Sequence, residues 1–324
     1  LVIELDNYNI VCIPPEKAYK FSELIPIDID YNKLVFEEFY DGTMINVWYY
    51  NDKWNISTRS RIGADCKWFS DKTFSELFYD ALGKDNLDIE LFDKNICHSF
   101  VLKHSENRIV KKYDTEGLVL VQCRDMRTLE LAECETVRIS YEETGIKVNI
   151  AEKYNFKDMD EITNHMNGLT YESQGIVIKY NNNRTKIRNQ NYNFVKHIRG
   201  NTPKLLPHYL DLRQKKLIKQ YLYYYPEFKG EFDEFHLAIK NMTDTLYNCY
   251  RGYHIYKKDT PKYINLADIP YELKPLVYEL HGNYLNSGRK QKITYDYVKF
   301  YFNALPIPKI IFVLNYKKNN ENKS

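Results

Sequence analysis

Between Lys179 and Lys204 the chain carries Lys179, Arg184, Lys186, Arg188, Lys196, Arg199 and Lys204, and no carboxylate at all. Inside that stretch, Lys186-Ile187-Arg188 alternates cation, apolar, cation. In a strand, successive side chains point to opposite faces, so both cations would share one face and Ile187 the other. Two cations converging from one strand suit a polyphosphate. A solvated edge strand has the same composition, because edge lysines block the addition of further strands. The neighbourhood decides between the two readings. The segments that could supply it are Phe39-Tyr40-Asp41-Gly42, Ser57-Thr58-Arg59-Ser60 and Gln174-Gly175.

Their order is more informative than any one of them. The chain runs Phe36-Glu37-Glu38-Phe39-Tyr40-Asp41-Gly42-Thr43-Met44, then Trp54-Asn55-Ile56-Ser57-Thr58-Arg59-Ser60. Ser99-Phe100-Val101 follows, and then Asn107-Arg108-Ile109-Val110. Gln174-Gly175-Ile176-Val177-Ile178-Lys179 and Lys186-Ile187-Arg188 close the series. It resembles the ordered motifs of the covalent nucleotidyltransferases, and within them the phage-type RNA ligases of tRNA repair. The resemblance implies an α+β architecture: an antiparallel-sheet nucleotidyltransferase domain followed by an all-helical C-terminal domain. It also implies ATP or another nucleotide as ligand and RNA as partner.

In that family the first motif is Lys-x-Asp-Gly, and its lysine attacks the α-phosphate of ATP as a neutral amine. The matching position here is Phe39, which cannot form a phosphoramidate. No Lys-x-(Asp/Glu)-Gly occurs elsewhere in the chain. A metal-holding glutamate is expected before Gly175, but the residue is Gln174, and a neutral amide binds Mg²⁺ poorly. Glu172 would share a face with Gln174 if the strand began there. Ser99 stands where the family's second glutamate is expected. Asp41, Gly42, Arg59, Lys186 and Arg188 remain as a nucleotide- or phosphate-binding set. The resemblance therefore implies an RNA-ligase-like protein that binds a nucleotide or an RNA 5′ end and has lost lysine adenylylation. Two alternatives stand beside it: an active ligase or capping-type transferase using another lysine or pre-activated RNA, and a structural or assembly protein on a ligase scaffold.

The elements that must position these residues are legible from periodicity. Alternation over residues 34–62 predicts strands, with hairpin breaks at Asp41-Gly42 and Asn51-Asp52. Lys67 to Leu82 has helical spacing, stopped by Gly83. Short strands are expected at His98–Leu102, Leu118–Gln122 and Val137–Ser140. A helix is expected from Asp158 to Met166, and a buried strand over Gly175–Tyr180 with a turn at residues 181–183. Trp48, Trp54 and Trp68 are expected to pack the sheet and its covering helix. His98 and His104 read as core or surface residues, and Phe39 as filling the space of the absent lysine. After Gly200 the texture becomes helical: 205–225, 232–256, 271–284 and 295–303. These patterns divide the chain into 1–203, a basic helical part 204–316 and a polar, frayed tail 317–324.

The chain has 324 residues, 44% of them hydrophobic, which is enough for a sizeable core. The formal charge of +2 conceals an asymmetry. Residues 1–200 sum to −6 and residues 201–324 to +8. A basic second part suits a polyanion. Candidate RNA contacts are Arg108, Lys196 and Arg199 in the first part, and Arg213, Lys215 and Lys216 in the second, where tyrosines follow directly. The six cysteines form no CxxC, and no apolar run reaches the ~18–20 residues of a membrane helix. An intracellular setting is expected. The AT-rich codon bias of the Tyr, Lys and Asn content, taken with the resemblance to a degenerate ligase, suggests a large DNA virus.

Overall fold

A computed structural model describes residues 1–6, 8–68 and 70–321, with side chains through residue 316 apart from the two gaps. The chain forms two compact units, Leu1–Arg199 and Gly200–Ser324.

The first unit is built on two antiparallel sheets. Its strands are β1 (Val2–Ile3), β2 (Ile10–Cys12), β3 (Val35–Glu38), β4 (Thr43–Tyr50), β5 (Lys53–Ser57), β6 (Ile96–Lys103), β7 (Gly117–Asp125), β8 (Leu131–Ala132), β9 (Lys153–Tyr154), β10 (Gly175–Tyr180) and β11 (Asn183–Arg188). Its helices are α1 (Phe21–Leu24), α2 (Phe74–Lys84), α3 (Cys134–Glu143), α4 (Met159–Gly168) and α5 (Gln190–Arg199). One sheet has the order β5-β4-β6-β7-β8 and the other β11-β10-β3-β9, with β1 and β2 as a separate ribbon. Two-residue turns with positive φ at both positions close the hairpins: Asn51 (51°) and Asp52 (57°) join β4 to β5, and Asn181 (46°) and Asn182 (62°) join β10 to β11. Asparagine and aspartate tolerate that conformation, so the turn residues fix the register of both pairs.

The Asp41-Gly42 break behaves differently from the hairpin expected there. β3 and β4 belong to different sheets, so Asp41-Gly42 is a crossing between them. Gly42 passes so close to β6 that a Cβ would lie 2.3 Å from the Leu102 carbonyl oxygen. The segment Val137–Ser140, expected as a strand, lies in α3. Its β-branched residues read locally as extended, but Val137 and Tyr141, one helical turn apart, are the pair that buries against β7. The helix expected from Lys67 starts only at Phe74. A capping box at Thr73 sets that start: the Glu76 N–H donates to Thr73 Oγ1 (3.2 Å), and Glu76 accepts from the Thr73 N–H (2.6 Å). Phe69 lies outside the described residues.

α2 buries Phe74, Leu77, Phe78, Ala81 and Leu82 against Ile45, Val47, Phe100, Leu102, Leu118 and Leu120. Trp54 and Trp68 border that core, whereas Trp48 lies in a separate cluster with Cys12 and Cys97. The second sheet buries Phe36, Ile176 and Ile178 with Ile25 and Ile162. The remaining faces, with Asn46 and Ser99 on one sheet and Glu37, Val177 and Lys179 on the other, turn toward each other. The Lys179 ammonium reaches across to the Val121 carbonyl (3.1 Å).

His98 is fully buried beside Phe92 and Phe100 and bonded to the Tyr141 hydroxyl. Burial lowers its pKa to about 3. The unfolded chain therefore binds a proton that the native state refuses. Stability is full above the unfolded pKa of ~6.5 and falls as pH drops toward 3, by up to ~1.4 kcal/mol per unit. Urea midpoints of the wild type should decline more steeply between pH 6.5 and 4.5 than those of His98→Gln. Parallel declines would remove His98 as the cause.

The second unit contains α6 (Leu205–Gln214), α7 (Ile218–Tyr224), α8 (Lys229–His254), α9 (Lys274–Asn286), α10 (Tyr295–Ala304) and α11 (Ile307–Glu321). The single helix expected over 205–225 is two helices, broken where Lys216 adopts a φ of 61°. Tyr221 and Tyr225 are not surface rings beside the lysines. They are buried in the unit's core, stacked on each other, with Phe232 stacked on Tyr221. The tail expected from Lys317 instead continues α11 to Glu321. Among the described residues no single helix is long and apolar enough to cross a membrane; one bent pair, Tyr295–Ala304 with Ile307–Tyr316, passes that test only jointly across a 111° bend.

Candidate phosphate-binding site

Two glycines bring the site's backbone segments together. Gly42 lets the crossing from β3 to β4 pass against β6. Gly175 has a φ of +126°, and a Cβ there would lie 2.1 Å from the Ile187 carbonyl, so only glycine lets β10 begin against β11. Between them, the Phe39 N–H donates to the Gly175 carbonyl (3.0 Å). This places residue 39 next to the end of β11.

The side chains of β11 then follow from its pairing. Arg184, Lys186 and Arg188 stand opposite Lys179, Val177 and Gly175, and all three project to the face away from the Phe36–Ile178 core. Ile187 packs on that core. The Lys186 ammonium lies 5.5 Å and the Arg188 guanidinium 5.6 Å from the centre of the Phe39 ring. The aromatic side chain is thus held by both cations, in cation–π contacts.

The charges around it are mutually repulsive. Desolvation first, and then Arg188, Arg184, Lys196 and Arg59, push the Lys186 pKa down. Desolvation and Arg188 do the same to Lys196, against the opposing pull of Asp41. Arg184 is lowered by burial and by Arg59, and its guanidinium is tied to the Glu16 carbonyl (2.7 Å). Arg59, Lys186, Arg188 and Lys196 form no ion pair among the described residues. Arg184 is the member that the sequence reading left out of the site, although the period-2 rule that joined Lys186 to Arg188 extends to it.

Asp41 is occupied differently. Its carboxylate is only 3% exposed and accepts from the Val110 N–H (2.8 Å), the Lys111 N–H (2.9 Å) and the Tyr192 hydroxyl (2.7 Å). Tyr113 donates to the Asp41 carbonyl (2.7 Å). Asp41 therefore ties the 108–113 loop and α5 to the sheet crossing. Arg199 strengthens the same tie by donating to the Arg108 carbonyl (3.0 Å), and Arg108 donates to the Val110 carbonyl (3.1 Å).

The positions where a metal's carboxylates are expected have other partners. Ser99 is buried and donates to Asn46 Oδ1 (2.9 Å), which leads on to Ser57 (3.4 Å). Gln174 is buried, and its carbonyl accepts from the Asn189 N–H (3.0 Å). Glu172 lies in a turn before β10 starts, so the shared face on which it could replace Gln174 does not form. Glu37 is bound to Lys179 (2.8 Å). Among the described residues no three His, Cys, Asp or Glu side chains group as a metal site. The donor set does not fit a divalent ion. A cavity of about 300 Å³ opens beside Glu37, Lys179, Gln122 and the β10–β11 turn.

The second unit's candidates are dispersed. Arg213 bonds to Asn303 (2.8 Å) and Tyr209 (3.1 Å), a structural role within the helices. Lys215 pairs with Asp211 (2.8 Å), and Lys216 is exposed.

Comparison with known proteins bears on this geometry. Over 201 aligned residues, 56% of this chain, the sequence is 26% identical to a protein of Autographa californica nuclear polyhedrosis virus that carries the name bifunctional polynucleotide kinase/RNA ligase. The chain is thus similar to part of a viral protein with that name. It spans 28% of that relative's length. A Naegleria gruberi RNA ligase with pyrophosphate superposes on 56% of this chain and 57% of its own, with a TM-score of 0.43 at 13% identity. A variant of that ligase with ATP and manganese gives 0.43 at 12% identity over the same shares. No family model matches the chain.

Proposed function

We propose that this RNA-ligase-like chain binds a nucleotide or the phosphorylated 5′ end of an RNA between its two sheets without forming a covalent lysyl-nucleotide. The observation that carries the reading is the Phe39 ring held between Lys186 and Arg188. By the resemblance, a phenyl group stands where the family has its nucleophile, while Arg59, Lys186, Arg188 and Lys196 form no ion pair among the described residues. Such a site can neutralise phosphate oxygens, yet it has no amine at residue 39 to attack one. The viral relative supports an intracellular, viral setting.

Incubation with labelled ATP or GTP and Mg²⁺ or Mn²⁺ tests it. The wild type is expected to yield no protein–nucleotide adduct that survives denaturation. Restoring the amine alone, by Phe39→Lys, is expected to yield none either, because the metal-binding carboxylates are also replaced. Phe39→Lys combined with Ser99→Glu and Gln174→Glu is expected to form the adduct. An adduct on the wild type would overturn the reading.

One observation favours a second reading, an active ligase. Lys186 and Lys196 both have pKa values lowered by burial and like charges, and a more readily deprotonated lysine is a better nucleophile. Peptide mapping of any wild-type adduct to either residue would establish it. Absence of all nucleotide and RNA binding at moderate salt would favour a scaffold role.

A further inference from the structure

The C-terminal end of α8 carries a group of side chains that the site in the first unit does not use. Arg251 lies over two tyrosine rings, 5.5 Å from the centre of Tyr247 and 4.9 Å from that of Tyr256. Lys262 lies 5.8 Å from the Tyr256 ring. The chain is folded back to achieve this. Gly252 has no Cβ, and one placed there would lie 2.5 Å from Ile264 Cδ1. Ile264 packs into that gap, and its N–H donates to the Gly252 carbonyl (3.2 Å). The Tyr256 N–H donates to the Arg251 carbonyl (2.9 Å), which seats the ring beside the guanidinium. The return brings Lys262 to the same ring.

A cation held by a ring keeps its full charge and its N–H donors, whereas a cation held by a carboxylate is neutralised. Neither Arg251 nor Lys262 has a carboxylate partner among the described residues. Lys257 and Lys258 are exposed in the intervening turn, and residues 251–262 contain four cations against the single acid Asp259. This is a compact positive surface interleaved with aromatic rings, the combination that follows a single strand's phosphates with cations and its bases with π-faces.

We infer that Arg251, Tyr256 and Lys262, with Lys257 and Lys258 beside them, form a contact site for single-stranded RNA that reads the backbone and is indifferent to the 5′ end. This rests on the reading of RNA as partner and adds a second site of different chemistry to it.

The probe is a labelled, unstructured 20-nucleotide RNA with a 5′-hydroxyl, compared with its 5′-phosphorylated form, bound to the full chain and followed by fluorescence anisotropy across a salt series. Arg251→Ala with Lys262→Ala is expected to weaken both RNAs equally, by about tenfold, and to flatten the log–log salt slope by about 1.4, two phosphates at ~0.7 each. Tyr256→Ala is expected to weaken both, and Tyr256→Phe neither, with thermal melts confirming that each variant folds. Unchanged affinity and slope in the double variant overturn the inference. So does binding to phosphatidylserine vesicles without binding to RNA, which would make the surface a membrane contact. Failure of the end-binding reading is separable: it removes the difference between the two RNAs and leaves their common affinity intact.

Discussion

Replacing Lys186 and Arg188 together with alanine is expected to weaken binding of a 5′-phosphorylated RNA by about 3–5 kcal/mol, since each side chain can supply a charge-assisted hydrogen bond worth ~1.5–3 kcal/mol. That corresponds to roughly a hundred- to several-thousand-fold in affinity. The site is partly desolvated, its cations form no ion pair among the described residues, and the repulsion that lowers the Lys186 pKa is relieved when a polyanion enters. Relief of that repulsion offsets the loss of the two cation–π contacts to Phe39, so the variant's melting temperature should hold near that of the wild type. Anisotropy with 5′-phosphate and 5′-hydroxyl RNA checks the prediction. The loss should be confined to the phosphorylated form; an equal loss for both would show that β11 contributes only general positive charge.

Asp41→Ala is expected to act on stability. It removes the acceptor of the Val110 and Lys111 N–H groups and of the Tyr192 hydroxyl, in a place where Asp41 and Tyr192 are both buried. Leaving buried donors unsatisfied costs ~1–3 kcal/mol apiece, so a total of about 3–5 kcal/mol is expected after relaxation. For a domain with ~5–15 kcal/mol of stability that is a large fraction. Asp41→Asn, which keeps an oxygen acceptor without the charge, should fall between. Urea denaturation distinguishes this from a direct ligand role: a variant with wild-type stability and lost nucleotide binding would refute the structural assignment.

The contrast between these two predictions shows what the sequence could and could not convey. Strand alternation placed Lys186 and Arg188 on one face, and the Gly-Ile-Val-Ile-Lys-Tyr segment has the bounds of β10. Both are local properties with a short period. The partners of Asp41 are 69 to 151 residues away, and no pattern near Asp41 signals that its charge is already engaged. The crossing at Asp41-Gly42 looked like a hairpin because a turn dipeptide is the same whether the chain returns to its own sheet or enters another. Val137–Ser140 looked extended because β-branched residues prefer strands, a preference that packing against β7 overrides. The tyrosines after Lys219 divide by burial: Tyr221 and Tyr225 lie in the core, while Tyr223 faces solvent. That division follows the helical face: Tyr221 and Tyr225, four residues apart, stack on each other and meet Phe232 of α8, while Tyr223 lies off that face.

The anchoring of residue 39 has a practical consequence. Its position is fixed by a backbone hydrogen bond to Gly175 and by the network around Asp41, neither of which involves its side chain. The side chain can therefore be exchanged for another aromatic of similar outline with the scaffold intact. A photoreactive phenylalanine analogue introduced there by codon reassignment would sit between Lys186 and Arg188, within reach of whatever those cations hold. Illumination of the protein among the nucleotides and RNAs of a cell lysate would then attach the bound molecule covalently, so that mass spectrometry could identify it without a prior candidate.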